Sequence, residues 1–259
     1  MIDEDFAERL AAVPPPKEVV EQLFSEARTK SEERFFCAII DIETITHAGK
    51  SNLAWTINRP MIVQQFAKYF SRVAVSMQDF PNPEDASFVR RLHMLAYSQF
   101  WECLGVQRLL QQLANIAAGE HYTPRLFLDG RPETYALFKK LRGQTASLDL
   151  QLSELVTASY SNQIRNAFAH SQFWIAGEYV FFENHDGSKD YSIPSLKLDT
   201  WDKLFSITSE FIAEFFRARR EAESELKGMA PYRVELPEFL GPFVFSKDDR
   251  GYWSAKPST

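Results

Sequence analysis

The stretch SYSNQIRNAFAHSQF, Ser159 to Phe173, sets an arginine, an asparagine and a histidine at positions 165, 166 and 170 among small and apolar residues. Arginine presents a planar fork of donors that matches a phosphate. Histidine changes protonation near neutral pH and can move a proton. Asn166 and His170 are four apart and share a helix face, so the amide can orient the imidazole or a bound phosphate. These residue types suit metal-free cleavage of a phosphodiester. Arg165 would hold the scissile phosphate and stabilise its developing charge. His170 would serve as general base or acid for a ribose 2′-hydroxyl attacking its neighbouring phosphate, and Asn166 would orient. On an ideal helix, Arg165 and His170 stand ~140° apart and ~7.5 Å along the axis. They converge on one anion only beyond the helix, at a frayed end or with a second subunit.

The elements around the trio decide whether it forms a site. A helix is expected from near Leu148 to His170. Its leucine stripe (Leu148, Leu152, Leu155) continues through Ser159, Asn162 or Gln163, Asn166 and His170. Ile164, Ala167 and Phe168 stay apolar on a neighbouring face, so the polar end still packs and forms a cleft wall. Phe173 to Pro194 is rich in aromatic and β-branched residues, with Asp186-Gly187 at its middle, a strong hairpin signal. From Asp199 an amphipathic helix is expected to bury Trp201, Leu204, Phe205, Thr208, Phe211, Ile212 and Phe215.

Upstream, Pro14 to Pro16 close an N-terminal arm, with Pro16 able to open a helix. Helices then follow over EVVEQLFSEAR and over EERFFCAIIDIETITH, the latter stopping at Gly49. A further helix from Arg59 carries the stripe Met61, Ile62, Phe66, Tyr69, Phe70 and Val73, and ends at a turn over Phe80 to Asp85. The longest helical pattern runs from Ala86 to Gly119, apolar at Phe88, Leu92, Leu95, Phe100, Leu104, Leu109 and Leu113. A loop over Glu120 to Pro132 and a short helix over ETYALFKKL follow. The expected fold is all-α, an antiparallel helical bundle with a short β-hairpin inserted before the last long helix. Its organisation reads as residues 1–58, an N-terminal arm and helices; 59–227, the bundle; and 228–259, a Pro- and aromatic-rich tail, packed extended or reaching to a partner.

In that setting IRNAFAH, Ile164 to His170, resembles the R-N-x-x-x-H signature of the HEPN superfamily, small helical-bundle proteins that include many prokaryotic ribonucleases. The resemblance is detailed over residues 148–226; the helices from about Arg59 fit by class. It implies that Arg165 and His170 match the family's catalytic pair and Asn166 the polar residue that often follows the arginine. It further implies single-stranded RNA as substrate, no cofactor or metal, and a homodimer whose motif helices meet at a shared cleft. Many members act in toxin–antitoxin, abortive-infection or other antiphage systems, which implies an antitoxin or regulatory partner. The toxin branch paired with nucleotidyltransferases carries a tyrosine two residues after the histidine; here Gln172 stands there, so regulation through that tyrosine is not expected. Inactive HEPN-like modules also exist. In that second reading Arg165 and Asn166 cap or bridge subunits, His170 satisfies a buried carbonyl, and the chain dimerises and binds a partner or nucleotide.

Other chemistry finds little footing. The chain has no Gly-rich phosphate loop, His-Glu-x-x-His, Cys-x-x-Cys or G-x-S-x-G. His47, His93, His121, His170 and His185 lack the spacing of zinc ligands. His93 reads as a hydrogen-bonded structural residue, His185 as a solvated turn residue, and His47 as a favourable charge at a helix end. Asp41 and Glu43, two apart, do not share a helix face and make a poor catalytic dyad. Cys37 and Cys103 read as buried reduced thiols. A net charge of −6 argues against non-specific coating of nucleic acid while leaving room for a local basic cleft. The longest apolar run, Phe35 to Ile40, is far too short to span a bilayer, and the acidic first residues lack the pattern of a secretory signal. A cytoplasmic protein without a membrane span is expected.

Overall fold

A computed structural model describes residues 2–44, 83–120, 134–188, 191–226, 232–235, 242–247 and 253–257. The expected helix from Arg59, residues 80–82 of the expected turn, the loop over 121–132, Gly49, His47 and His121 lie outside the described residues; the rest of that turn, Pro83 to Asp85, is already helical.

The described chain is mostly helical. The N-terminal arm is itself a helix, α1 (Ile2–Ala11), and the proline triplet separates it from α2 (Pro16–Lys30). Pro16 takes the first turn of α2, where its missing N–H costs nothing. Then come α3 (Glu32–Thr44), α4 (Pro83–Glu102), α5 (Leu104–Ala117) and α6 (Thr134–Ser147). The single helix expected over Ala86 to Gly119 is thus two. Cys103 stands between them at φ −67° and ψ 104°, outside helical geometry. Gly119, at φ +80°, closes α5: its N–H reaches Ile116 O and the Glu120 N–H reaches Asn115 O.

Phe100, Leu109 and Leu113 are buried as expected, but Phe88, Leu92 and Leu95 are exposed. The opposing face of α4 carries Tyr97, Phe100 and Trp101, all fully buried. Those larger aromatic surfaces claim the core side of the helix.

The motif region also departs from one continuous helix. It forms α7 (Leu152–Ser159) and α8 (Asn162–Ala169), with Tyr160 and Ser161 extended between them. The stripe drawn from Leu148 to His170 is therefore not one helical face. Next come β1 (Phe173–Ala176), β2 (Tyr179–Phe182) and β3 (Ser195–Lys197), an antiparallel sheet in the order β1-β2-β3. The hairpin turns at Gly177-Glu178, with Gly177 at φ +58°, rather than at Asp186-Gly187. Asp186-Gly187 instead bends the connection from β2 to β3, where both N–H groups bond Tyr191 O. Val180, Phe182 and Leu196 face the core; Trp174 and Phe181 stack on the other side at 5.2 Å.

The last long helix, α9 (Leu198–Leu226), buries every residue expected of it: Trp201, Leu204, Phe205, Thr208, Phe211, Ile212 and Phe215. It packs against α2, α3 and α4, while α8 lies on α4 and α7 on α6. Buried residues of α1 to α9 and the first sheet make one hydrophobic cluster. The tail holds β4 (Tyr232–Glu235), β5 (Pro242–Lys247) and β6 (Trp253–Pro257), a second antiparallel meander with β6 beside α3.

Candidate functional site

The motif helix starts where it does because a distant tyrosine fills the break before it. The Tyr97 hydroxyl, fully buried on α4, donates to Ser159 O at 2.8 Å and accepts from the Ser161 N–H at 3.1 Å. Those are backbone groups that the interruption of the helix releases. Ser161 then caps α8, its side-chain oxygen accepting from the Ile164 N–H. Burial drives the Tyr97 phenol well above its usual ionisation range, so it stays a neutral donor.

Arg165 leaves the middle of α8 toward the end of α4. Its Nη1 donates to Glu102 Oε1 at 2.9 Å and its Nη2 to Asn162 Oδ1 at 2.7 Å. The pair is largely enclosed, with the arginine side chain 14% and the glutamate 18% exposed. The Arg165 Nε is buried without a hydrogen-bond partner. Tyr160, packed on Phe138 and Trp101, also lies against the guanidinium. Burial pushes its phenol up to about 12, and the Arg165 charge and hydrogen bond partly counter that rise. Both terminal nitrogens of Arg165 thus have partners within the chain.

No hydrogen bond joins Asn166 to the His170 side chain among the described residues. Its amide donates to the Tyr191 hydroxyl at 2.8 Å, and the Asn162 amide reaches the same oxygen at 3.2 Å. Two amides fill the lone pairs of Tyr191 and leave its O–H as a donor. The loop carrying Tyr191 is fixed to α8 through buried Gln163. The Gln163 amide donates to Ile193 O at 2.7 Å and accepts from the Ile193 N–H at 2.9 Å, while Asn184 donates to Gln163 O.

His170 ends α8 as its C-cap and is exposed. Beyond it Ser171 adopts φ +57°, and the Gln172 N–H bonds Ala167 O at 2.8 Å. This is the closure that glycine usually provides, here made by serine. The helix end is therefore closed rather than frayed. Among the described residues the His170 imidazole has no hydrogen bond or ion pair.

The structure so brings Arg165 and Asn166 into one polar cluster and leaves His170 on the surface one turn away. Sequence reasoning missed Glu102, Asn162, Tyr160 and Tyr191. Asn162 and Tyr160 lie three and five residues before Arg165, within the motif stretch itself, whereas Glu102 and Tyr191 arrive from distant parts of the chain.

His93 is buried against Phe205, rings stacked at 4.2 Å, and burial lowers it to about 4. His185 is exposed, and Cys37 and Cys103 are buried thiols that form no disulfide. Asp41 and Glu43 fall on α3. Among the described residues no group of three or more His, Cys, Asp or Glu is placed to hold a metal. No described helix is long and apolar enough to cross a membrane. Comparison with known proteins gives no match, whether with family models, curated proteins or solved structures.

Proposed function

We propose that this chain is a metal-independent endoribonuclease on an antiparallel helical bundle, cutting single-stranded RNA in a prokaryotic defence or toxin–antitoxin setting in the cytoplasm. His170 takes the proton of a ribose 2′-hydroxyl. The 2′-oxygen bonds to the adjacent phosphorus, the P–O5′ bond breaks, and the leaving oxygen takes a proton. The products carry a 2′,3′-cyclic phosphate and a 5′-hydroxyl. Arg165 holds a phosphate oxygen with its outer edge, and Asn166 with Tyr191 provides a neutral donor.

One observation carries the reading. An exposed imidazole without a bond among the described residues ends the same short helix that holds Arg165 in a fixed orientation. The two side chains diverge on that helix, so the reading includes a homodimer in which motif helices from two copies line one cleft. An antitoxin or regulatory partner would cover that cleft.

The test is cleavage of single-stranded RNA by purified protein in EDTA. Wild type should release cyclic-phosphate ends, and His170→Ala and Arg165→Ala should lose at least a hundredfold in rate, on the order of removing one acid–base group or charge stabiliser. A clean wild-type preparation that leaves RNA intact and causes no growth arrest on expression defeats the proposal.

The second reading, an inactive module that dimerises and binds a partner or nucleotide, draws on a different observation. Arg165 and Asn166 already have partners inside the chain. In that case His170→Ala loosens the dimer and leaves RNA untouched in every variant.

A further inference from the structure

A groove of about 610 Å³ opens between α1, α6 and α7, within the size range of ligand sites. Arg9 of α1 and Arg142 of α6 line it, and neither forms an ion pair with a carboxylate among the described residues. Arg9 rests over the Phe6 ring at 5.0 Å, and its Nε donates to Asp5 O. Glu154, also in the lining, is exposed and pairs with neither arginine, so it marks the edge where an anion is disfavoured.

Most of the remaining lining is small: Ala12, Gly143, Ala146, Ser153 and Ala158. A Cβ built on Gly143 meets nothing within 4 Å, so packing inside the chain does not require a glycine in this helix. The groove lies beside the motif cluster. Ala158 lies two residues before Tyr160, and the Tyr160 ring packs on Phe138 at 4.4 Å, one turn before Arg142 on α6.

We propose that this groove seats the nucleotide next to the scissile phosphate, with its phosphate on Arg142 and Arg9 and its sugar and base against the small apolar wall. The inference rests on the nuclease reading and deepens it: the enzyme reads consecutive phosphates of a single strand, one with Arg165 and the next with Arg142. Two unpaired guanidinium groups flanking an apolar floor match a phosphate attached to a flat ring system.

The experiment uses the full-length His170→Ala chain, which binds without cutting, and a fluorescein-labelled single-stranded RNA of about a dozen nucleotides, long enough to fill a typical single-strand site. Anisotropy is read across a salt series. Arg142→Ala should weaken binding on the order of tenfold and lower the salt slope; Arg9→Ala with Arg142→Ala removes the one phosphate contact that they share and should lower the slope by about 0.7 in all. Gly143→Leu fills the groove and should weaken binding with the slope unchanged, whereas Gly143→Ala should bind as its parent does. Circular dichroism confirms that each variant is folded.

If wild type cuts RNA while Arg142→Ala and Gly143→Leu bind it with unchanged affinity and slope, the subsite is wrong and the nuclease stands. If wild type neither binds nor cuts RNA, the nuclease reading fails and the subsite fails with it. Binding of adenosine monophosphate that needs Arg142, without any RNA binding, overturns the proposal in favour of a small-molecule site.

Discussion

The Glu102–Arg165 pair gives a measurable handle on how the motif is held. Its charges approach to 2.9 Å with side chains 18% and 14% exposed. Two unit charges at that distance attract by about 6 kcal/mol at an effective dielectric near 20. Desolvating both ions and fixing two long side chains offsets most of this. Exposed pairs contribute about 0.2–1 kcal/mol, and breaking buried ones costs about 3–5 kcal/mol. This pair lies between, and a coupling of about 2 kcal/mol is expected.

Glu102→Ala leaves a largely enclosed guanidinium with only Asn162 and Tyr160, and should cost about 2–3 kcal/mol. Arg165→Ala removes the guanidinium partner of the Glu102 carboxylate and should cost about as much. The double variant should be little worse than either single one, because each single change already removes the pair. Urea denaturation of the four proteins gives the cycle, and each single change should lower Tm by about 4–8 °C in a chain of this size. Strict additivity of the two single costs, or a Tm unchanged in Glu102→Ala, would show that the pair does not fix Arg165. RNA cleavage then separates its roles: Glu102→Gln keeps an acceptor but loses the charge, so its turnover should fall less than that of Arg165→Ala.

Two further predictions concern stability. Ser171 holds a left-handed φ of +57° at the end of the motif helix. That conformation costs an L-residue about 1–2 kcal/mol, against about 0.5–1 kcal/mol of extra chain entropy for glycine, so Ser171→Gly should stabilise by about 0.5–1 kcal/mol in urea denaturation; a loss of stability would refute the strain. Burial, followed by the charge of Arg90, lowers His93 from 6.5 to about 4. The unfolded chain therefore takes up this proton first. The stability involved is complete above pH ~6.5 and lost as pH falls through ~4, on the order of 3 kcal/mol in total. Burial raises Asp202 and works in the opposite sense, so comparison with His93→Phe isolates the histidine. A variant with the same acid profile as wild type would place the titrating group elsewhere.

What was legible in the sequence followed from local periodicity. The seven buried positions of α9 repeat at helical spacing over a long segment, and no distant residue overrides them. The break at Tyr160 and Ser161 was illegible because its decisive partner, Tyr97, lies 62 residues earlier in the chain from Ser159. The hairpin was foreseen but its turn misplaced. Asp-Gly is a strong local signal, yet strands of four residues each pair Ala176 with Tyr179 and must turn at Gly177-Glu178. The apolar repeat of Phe88, Leu92 and Leu95 was visible, but periodicity alone does not say which of two apolar faces wins the core. At the site, residue types in the motif were readable while their partners were not. Glu102 is 63 residues from Arg165, and Tyr191 reaches Asn166 through a loop fixed by Gln163.

The motif residues do not make equal demands on the fold, and the difference bears on function. Arg165, Asn162 and Asn166 are accounted for by contacts inside the chain: an enclosed ion pair and two amides on one hydroxyl. A structural network would explain all three. His170 is different. The helix closure at this point uses only backbone groups, which any residue at position 170 supplies, and the imidazole stands in solvent without a bond among the described residues. Next to it, Ser171 holds a strained backbone where glycine would relax it. Strain beside an unoccupied titratable group fits a functional demand better than a packing one. The histidine at the end of this helix is therefore the motif residue that contacts inside the described chain do not account for, and its substitution is the sharper test of the proposed nuclease.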